Sequence, residues 1–309
     1  MIELLLKIIP FFLLIGLGFV ASRKGWFSQK ANAALTKFVF FFALSAMLFQ
    51  FTAKLNLTQT FDLNLCLAYL FGTLLIYVIA TIVALLRKTG TEEAAVEAQI
   101  AVIGNTGFLG IPLLTTLIGG AAIAPLLLVL TIDLVVFSSL MTIIISAVRG
   151  GKLSLRIFKT VGAGLLKNPM IVSITAGFIW STTHVAIPAP VDHFLVLLAG
   201  AATPGALFSI GASLGGKSAE RLIVVSWLSF AKLILHPLAV AVMAFYIFAV
   251  DPFAAKVAVA AAALPVAGNV YMLAQYYGVA PKRVSSAIMI STCVSLATLT
   301  LIMSFLAPF

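Results

Sequence analysis

The sequence predicts an all-α integral membrane protein with about ten transmembrane helices, arranged as two inverted repeats of five. Three observations lead to this fold class. Hydrophobic residues make up 62% of the 309 residues and charged residues only 9%, which is far from the composition of a soluble domain. Apolar stretches of membrane-spanning length recur along the chain. A constant offset of 159 positions, as between Pro10 and Pro169, relates its two halves.

The ten predicted spans follow from stretches of about 20 apolar residues, the length that crosses a ~30 Å hydrocarbon core. They lie at residues 4–22, 33–53, 63–86, 94–118, 121–148, 168–186, 191–214, 222–249, 254–277 and 284–307. The first repeat is predicted over residues 1–148 and the second over 168–309. Between them, residues 149–167 form a linker that mixes basic and apolar residues, as a helix on the membrane surface does.

The basic residues predict the orientation of the chain. Fifteen of the 19 Lys and Arg residues follow the first, third, fifth, seventh and ninth spans, in the loops or, for Lys37, just inside the next span. Because cytoplasmic loops are rich in Lys and Arg, both termini are predicted to lie outside. The net charge of +10 is thereby explained without a nucleic-acid partner. These 15 residues are Arg23, Lys24, Lys30, Lys37, Arg87, Lys88, Arg149, Lys152, Arg156, Lys159, Lys167, Lys217, Arg221, Lys282 and Arg283.

The offset of 159 positions predicts the internal repeat. It aligns Leu48-Phe49 with Leu207-Phe208, and Gly119 at the end of the fourth span with Gly278 at the end of the ninth. Because each repeat has an odd number of spans, the second copy must enter the membrane in the opposite orientation. Secondary transporters use this plan and bind substrate at interrupted helices near the bilayer midplane.

Helix-breaking residues interrupt the fourth and ninth predicted spans. The sequences GNTGFLGIP (104–112) and ALPVAGNVYML (263–273) each place breakers about 11 residues, or roughly 16 Å, into the membrane. Unwound backbone at this depth must face protein or a wet cavity, and its free N–H groups attract a carboxylate. The alternative is that the glycines only allow close helix packing. The predicted substrate-binding residues are Asn105, Thr106, Gly107, Gly110, Pro112, Pro265, Gly268 and Asn269.

Three titratable residues lie deep in the predicted spans: Asp133, Lys232 and His236. A buried charge is costly in a membrane, so each needs a partner or a function. One hypothesis is that Asp133 and Lys232 pair and neutralise each other. The other is that Lys232 attracts the bound carboxylate while Asp133 holds the lysine or takes up a proton. His236 is either a packed, hydrogen-bonded residue or a proton relay.

Several motifs together resemble the auxin efflux carrier family in its bacterial form. They are GNTGFLGIPLL, ALPVAGNVYMLAQYYG, KLILHPL, KNPMI and the ALF of the seventh span. The resemblance implies a scaffold of helices 1, 2, 6 and 7 and a transport domain of helices 3–5 and 8–10, with helices 4 and 9 crossing at the midplane, a fold related to the bile-acid symporters. It also implies small organic anions as substrates, such as malonate, malate or auxin-like acids. One departure is Ser45, where this family usually has a proline in the second helix.

These patterns predict a secondary transporter of small organic anions that works by alternating access. No Walker loop, zinc-spaced histidine pair or nucleophile elbow is present, so the sequence predicts neither an enzyme nor a cofactor or metal site. Two alternatives remain open: a Na⁺- or H⁺-coupled symporter or antiporter of another substrate, and a membrane sensor that does not transport. The architecture is compatible with a homodimer, and the bilayer lipid is the other expected partner.

Overall fold

A computed structural model describes residues 2–55, 61–150, 155–215 and 222–306, and these residues are almost entirely helical. Their only extended pairing is an isolated antiparallel bridge between Gly104 and Val266. The helices are α1 (Ile2–Arg23), α2 (Gln29–Ala53), α3 (Leu63–Leu86), α4 (Thr91–Val102), α5 (Thr106–Ile118), α6 (Gly120–Gly150), α7 (Leu155–Lys167), α8 (Pro169–Thr182), α9 (Ala189–Leu214), α10 (Leu222–Ile247), α11 (Pro252–Ala262), α12 (Gly268–Tyr277) and α13 (Pro281–Leu306).

Six of these helices, α2, α3, α6, α9, α10 and α13, are long and apolar enough to cross a membrane. A seventh candidate is the pair α7 and α8, which bends by 69° at its break. Large apolar side chains on these helices remain exposed, among them Leu86, Leu197 and Ile223, because lipid replaces water around them. The predicted all-α membrane protein is therefore confirmed at the level of six or seven candidate spans.

Two helix pairs pack so closely that only glycine fits at the contact. In the first pair, α1 lies along the second half of α9, where a Cβ on Gly18 would overlap the carbonyl oxygen of Phe208. In the second pair, α8 lies along α2, and a Cβ on Gly177 would stand 2.7 Å from the carbonyl oxygen of Phe49. Small residues at such contacts let helix backbones approach each other where lipid offers no hydrophobic driving force.

The predicted interruptions coincide with breaks between α4 and α5 and between α11 and α12. The two breaks pair with each other through the backbone. The N–H of Asn105 donates to the Pro265 carbonyl at 2.8 Å, and the N–H of Ala267 donates to the Ile103 carbonyl at 3.0 Å. Pro265 lacks an N–H, and the bridge uses only its carbonyl. Two N–H groups and two carbonyl groups at the breaks are thus satisfied inside the protein.

The linker between the halves is helical where it is described. Residues 151–154, including Lys152, and residues 216–221, including Lys217 and Arg221, lie outside the described residues. The remainder of the linker forms α7, which meets α8 at the 69° bend. The placement of this amphipathic helix on the membrane surface stays a prediction.

An ion-pair cluster joins α3, α4 and α13 at one end of the molecule. The Glu97 carboxylate, which is fully buried, accepts hydrogen bonds from Arg87 and, at 2.7 Å, from Arg283. Arg283 also contacts Glu93 at 3.1 Å. A buried carboxylate with two guanidinium partners holds its helices together, because removing one partner leaves an uncompensated charge.

Candidate functional site

A cavity of about 390 Å³ lies between two groups of helices. One wall comes from α2 and the second half of α9, and the other comes from α5, α12 and α13. Its size suits a small molecule. The lining residues are Gln29, Asn32, Ala33, Thr36, Lys37, Asn105, Phe108, Ala206, Ser209, Ile210, Ser213, Leu214, Gly268, Tyr271, Met272, Ser285 and Ile288.

Two of the eight predicted binding residues, Asn105 and Gly268, line this cavity. Asn105 is 4% exposed, and its Oδ1 atom has no hydrogen-bond partner. Gly268 begins α12, a helix without a side-chain N-cap, so the first-turn N–H groups lack the partners that a cap supplies. A Cβ built on Gly268 would meet nothing within 4 Å. The break therefore presents an uncapped, positively polarised helix end to open space.

The other predicted binding residues lie around the crossing but do not line the cavity. Pro265 takes part in the backbone bridge. Thr106 and Asn269 follow the breaks in the first turns of α5 and α12, and their side-chain oxygens Oγ1 and Oδ1 have no hydrogen-bond partner. Pro112 lies further along α5, beyond the break.

Gly107 and Gly110 serve close packing rather than the break itself. A Cβ on Gly107 would stand 2.8 Å from the Met170 Cε atom of α8, and one on Gly110 would overlap the Leu264 side chain. Both glycines lie in a wide π-type turn at the start of α5. This arrangement agrees with the alternative that glycines in this motif permit close approach. Of the three motif glycines, only Gly104 lies in the break.

The opposite wall contains polar residues that the sequence analysis missed. The Asn32 Nδ2 atom donates to the Ser209 carbonyl at 3.2 Å, and the hydroxyls of Thr36 and Ser209 lie 2.6 Å apart. The Asn32 Oδ1 atom is buried without a partner, as is the Ser285 hydroxyl across the cavity. In the sequence, the available signal for these residues was that they are polar and lie at the edge of otherwise apolar spans. Only the fold shows that they lie opposite Asn105.

Asp133, Lys232 and His236 are buried together on a different side of the crossing. With Tyr69 and Thr73 they form what we call the enclosed polar cluster. The Tyr69 hydroxyl donates to Asp133 Oδ1 at 2.9 Å. Lys232 Nζ donates to the Ala262 carbonyl and lies 3.3 Å from His236 Nδ1, while Thr73 Oγ1 lies 3.0 Å from His236 Nε2. None of the five lines the cavity.

The contacts of Lys232 compensate part of the cost of burying its charge. Ala262 is the last residue of α11, so the ammonium group lies at the negatively polarised end of a helix that stops at the break. A Cβ on Gly104 would stand 3.3 Å from Lys232 Nζ, so the lysine lies next to this residue of the bridge. Lys232 and Asp133 form no direct ion pair in the described part of the chain, although they lie close enough to interact electrostatically.

Comparison with known proteins identifies the family. The model of the family described as "Membrane transport protein" matches residues 4–303 of this chain. The chain belongs to this family. The predicted membership of the auxin efflux carrier family is confirmed, since a member of that group, Auxin efflux carrier component 8 of Arabidopsis thaliana, is 22% identical over 94% of both chains. The protein is therefore a multi-pass membrane transporter.

Bacterial relatives are also similar over most of their length. A Rhizobium meliloti (strain 1021) protein named "Putative malonate transporter" is 28% identical over 97% of this chain and 95% of its own. The "Uncharacterized transporter YfdV" of Escherichia coli (strain K12) is 28% identical over 75% of both chains. The fold and the cavity described above thus belong to a member of a membrane transport family.

Proposed function

We propose that this protein is a secondary transporter that moves small organic anions across the membrane by alternating access. The carrying observation is the backbone bridge between the two broken helices, with a cavity beside it that contains Asn105 and the first turn of α12. An uncapped helix N-terminus and an amide side chain suit a carboxylate. The names of the malonate and auxin relatives agree with this substrate class.

An inverted repeat of ten spans accounts for the packing of the helices. Gly18 meets Phe208, and Gly177 meets Phe49. The offset of 159 residues relates Gly18 to Gly177 and Phe49 to Phe208, so the two contacts are equivalent with their partners exchanged. The same offset relates Gly119 and Gly278, which follow α5 and α12 with φ values of +104° and +68°. Matching contacts with exchanged partners are what a two-fold axis in the membrane plane produces.

In this arrangement the scaffold consists of α1, α2, α8 and α9, and the transport domain contains the remaining spans with α4–α5 and α11–α12 as the broken ones. The cavity lies between the two domains. Its lining includes Gln29, near the start of α2, and Leu214, at the end of α9. The positive-inside rule assigns the start of α2 and the end of α9 to the cytoplasm. It assigns the N- and C-termini of the chain to the outside of an inner membrane. The conformation is thus inward-facing.

We assign the enclosed polar cluster a supporting role: it neutralises the end of α11 and holds the crossing in place. A coupling role is the second candidate, favoured by the full burial of Lys232, His236 and nearly all of Asp133. Anion efflux from a cell that is negative inside is driven by ~2.3 kcal/mol per charge per 100 mV. Uniport therefore needs no coupling ion, whereas a Na⁺- or H⁺-coupled carrier requires an imposed ion gradient.

Counterflow in proteoliposomes tests the proposal. Vesicles loaded with unlabelled malonate, malate or indole acetate are mixed with the labelled acid, and uptake is measured for the wild type, Asn105→Ala and Asn64→Ala. Asn64 is exposed on α3, away from the cavity, and serves as the control. Asn105→Ala removes a side chain whose Oδ1 has no partner in the fold, so we expect loss of exchange with the thermal midpoint retained.

Three results would contradict the proposal. Absence of exchange for every acid would remove the substrate class, and ligand binding without flux would favour a sensor. Wild-type exchange by Asn105→Ala would show that the site lies elsewhere. Exchange that starts only when a Na⁺ or H⁺ gradient is imposed would instead establish the coupled mechanism.

A further inference from the structure

One charged residue lines the cavity among the residues that the structure describes, and it is Lys37. It lies on α2 in the scaffold, one residue after Thr36. The remaining described lining residues are neutral. The cavity wall therefore carries one positive charge without a carboxylate to balance it.

Lys37 has no ion-pair partner within the described part of the chain. The acids that do form ion pairs, Glu92, Glu93, Glu97 and Asp192, all pair with other cations. A lysine that only stabilised the fold would gain from a nearby carboxylate. Its position at the wall of a cavity instead leaves the ammonium group available to a ligand, at the end of a flexible four-carbon stem.

The cavity thus contains two features that attract anions, and they belong to different walls. The first turn of α12 beside Asn105 belongs to the wall formed with α5 and α13. Lys37 belongs to the wall formed by α2 and α9. A molecule with a single carboxylate satisfies one of them, whereas a dicarboxylate satisfies both.

We propose that Lys37 makes the cavity selective for small dicarboxylates: one carboxylate binds at the first turn of α12 beside Asn105, and the second pairs with the Lys37 ammonium. This inference rests on the proposed transport function and names its substrate class. It also assigns to the scaffold wall a direct part in substrate selection. The Lys37 side chain is exposed, and a charge-assisted hydrogen bond to its ammonium group is stronger than one between neutral groups, so the second carboxylate gains affinity there.

Malonate and propionate provide a matched pair of probes, because both have three carbons and differ in the second carboxylate. Counterflow is measured with each acid for the wild type, Lys37→Gln, Lys37→Arg and Lys30→Gln. Lys30 is exposed on the same helix and does not line the cavity. We expect Lys37→Gln to raise the half-saturation concentration for malonate about threefold, the effect of an exposed ion pair, and to leave that for propionate nearly unchanged.

The two control variants test whether charge is the cause. Lys37→Arg keeps the positive charge and should retain more of the preference for malonate than Lys37→Gln does. Lys30→Gln removes a positive charge from the same surface without touching the cavity, so it should behave as the wild type. Equal effects of Lys30→Gln and Lys37→Gln would point to a diffuse surface potential and would overturn the proposal.

The outcomes separate this inference from the transport function. If malonate exchanges, Asn105→Ala abolishes the exchange and Lys37→Gln leaves the preference for malonate over propionate unchanged, only the inference is overturned. Wild-type protein that exchanges propionate as readily as malonate overturns it too. If neither acid exchanges in any variant, the proposed function fails and the inference fails with it.

Discussion

The cavity and the enclosed polar cluster lie on two sides of the same backbone bridge, and they differ in how many of their buried side-chain groups have hydrogen-bond partners. In the cluster, Tyr69, Lys232 and His236 all have polar partners within 3.3 Å. Around the cavity, Asn105 Oδ1 and the Ser285 hydroxyl are buried and have none.

The partnerless atoms at the cavity are groups that a bound ligand can satisfy. Leaving a buried polar group without a partner costs about 1–3 kcal/mol, and membrane lipid cannot supply the missing hydrogen bond. Partnerless groups that line a cavity can be satisfied by a ligand or water, whereas the hydrogen bonds inside the cluster stabilise the fold. Substitutions on the two sides should consequently affect different properties: stability on the cluster side and exchange rate on the cavity side.

The largest expected effect is on stability, from Tyr69→Phe in the cluster. It removes the donor to Asp133 Oδ1, and Asp133 Oδ2 already has no partner. A buried carboxylate without hydrogen bonds should lower the free energy of unfolding by about 1.5–3 kcal/mol. The shift in thermal midpoint of the detergent-purified protein measures it.

Tyr77→Phe is the matched control for this change. Tyr77 lies two turns further along α3, and its buried hydroxyl has no partner, so its loss should leave the midpoint within a small fraction of the Tyr69→Phe shift. Equal shifts for both variants would mean that the Tyr69 hydroxyl does not support the buried charge.

The second effect is on transport, from Gly268→Ala at the cavity. The added methyl group enters open space, so the protein should fold as before while the first turn of α12 becomes less accessible to a carboxylate. We expect an exchange rate lower by about tenfold, the loss that follows from a misplacement of a substrate group.

Gly90→Ala controls for the general effect of adding a methyl group at a helix start. Gly90 precedes α4, and its Cβ would also meet nothing within 4 Å, but it does not line the cavity. A Gly268→Ala variant that exchanges as fast as Gly90→Ala would exclude the first turn of α12 from the binding site.

The smallest effects come from two serines of α13 that lie on either side of the bridge. Ser291 Oγ accepts a hydrogen bond from the Val266 N–H at 3.1 Å, so Ser291→Ala should lower the unfolding free energy by about 1 kcal/mol. Ser285→Ala removes a hydroxyl without a partner and should leave the thermal midpoint unchanged. The reverse order of midpoints would contradict the assignment of the two sides.

The sequence predicted the two paired breaks because helix breakers in the fourth and ninth predicted spans carry a strong local signal. Gly104 and Pro265 cannot be explained as ordinary apolar helix, and their depth followed from the helix rise. The same signal did not separate the functions of neighbouring residues. Gly107 and Gly110 look equivalent to Gly104 in the sequence, yet their contacts with Met170 and Leu264 depend on helices that are distant along the chain.

Residues across the cavity were beyond sequence reasoning for a related reason. Asn32, Thr36 and Ser209 lie near span ends, where polar residues are common, and become part of a site only when two groups of helices face each other. Depth arithmetic also placed Asp133 and Lys232 at similar levels, but it contains no information about which way each side chain points. Their separate partners, Tyr69 and the Ala262 carbonyl, follow from rotation of the helices about their axes.

The bridge between residues 103–105 and 265–267 is built from main-chain atoms alone. Its hydrogen bonds therefore carry no information about side-chain identity, and a substitution on the cavity wall leaves them intact. In this way main-chain atoms hold the two breaks together, while side-chain atoms in the same region determine which ligand binds. A lineage of such carriers can change its cargo by exchanging wall residues such as Lys37 while inheriting the crossing unaltered.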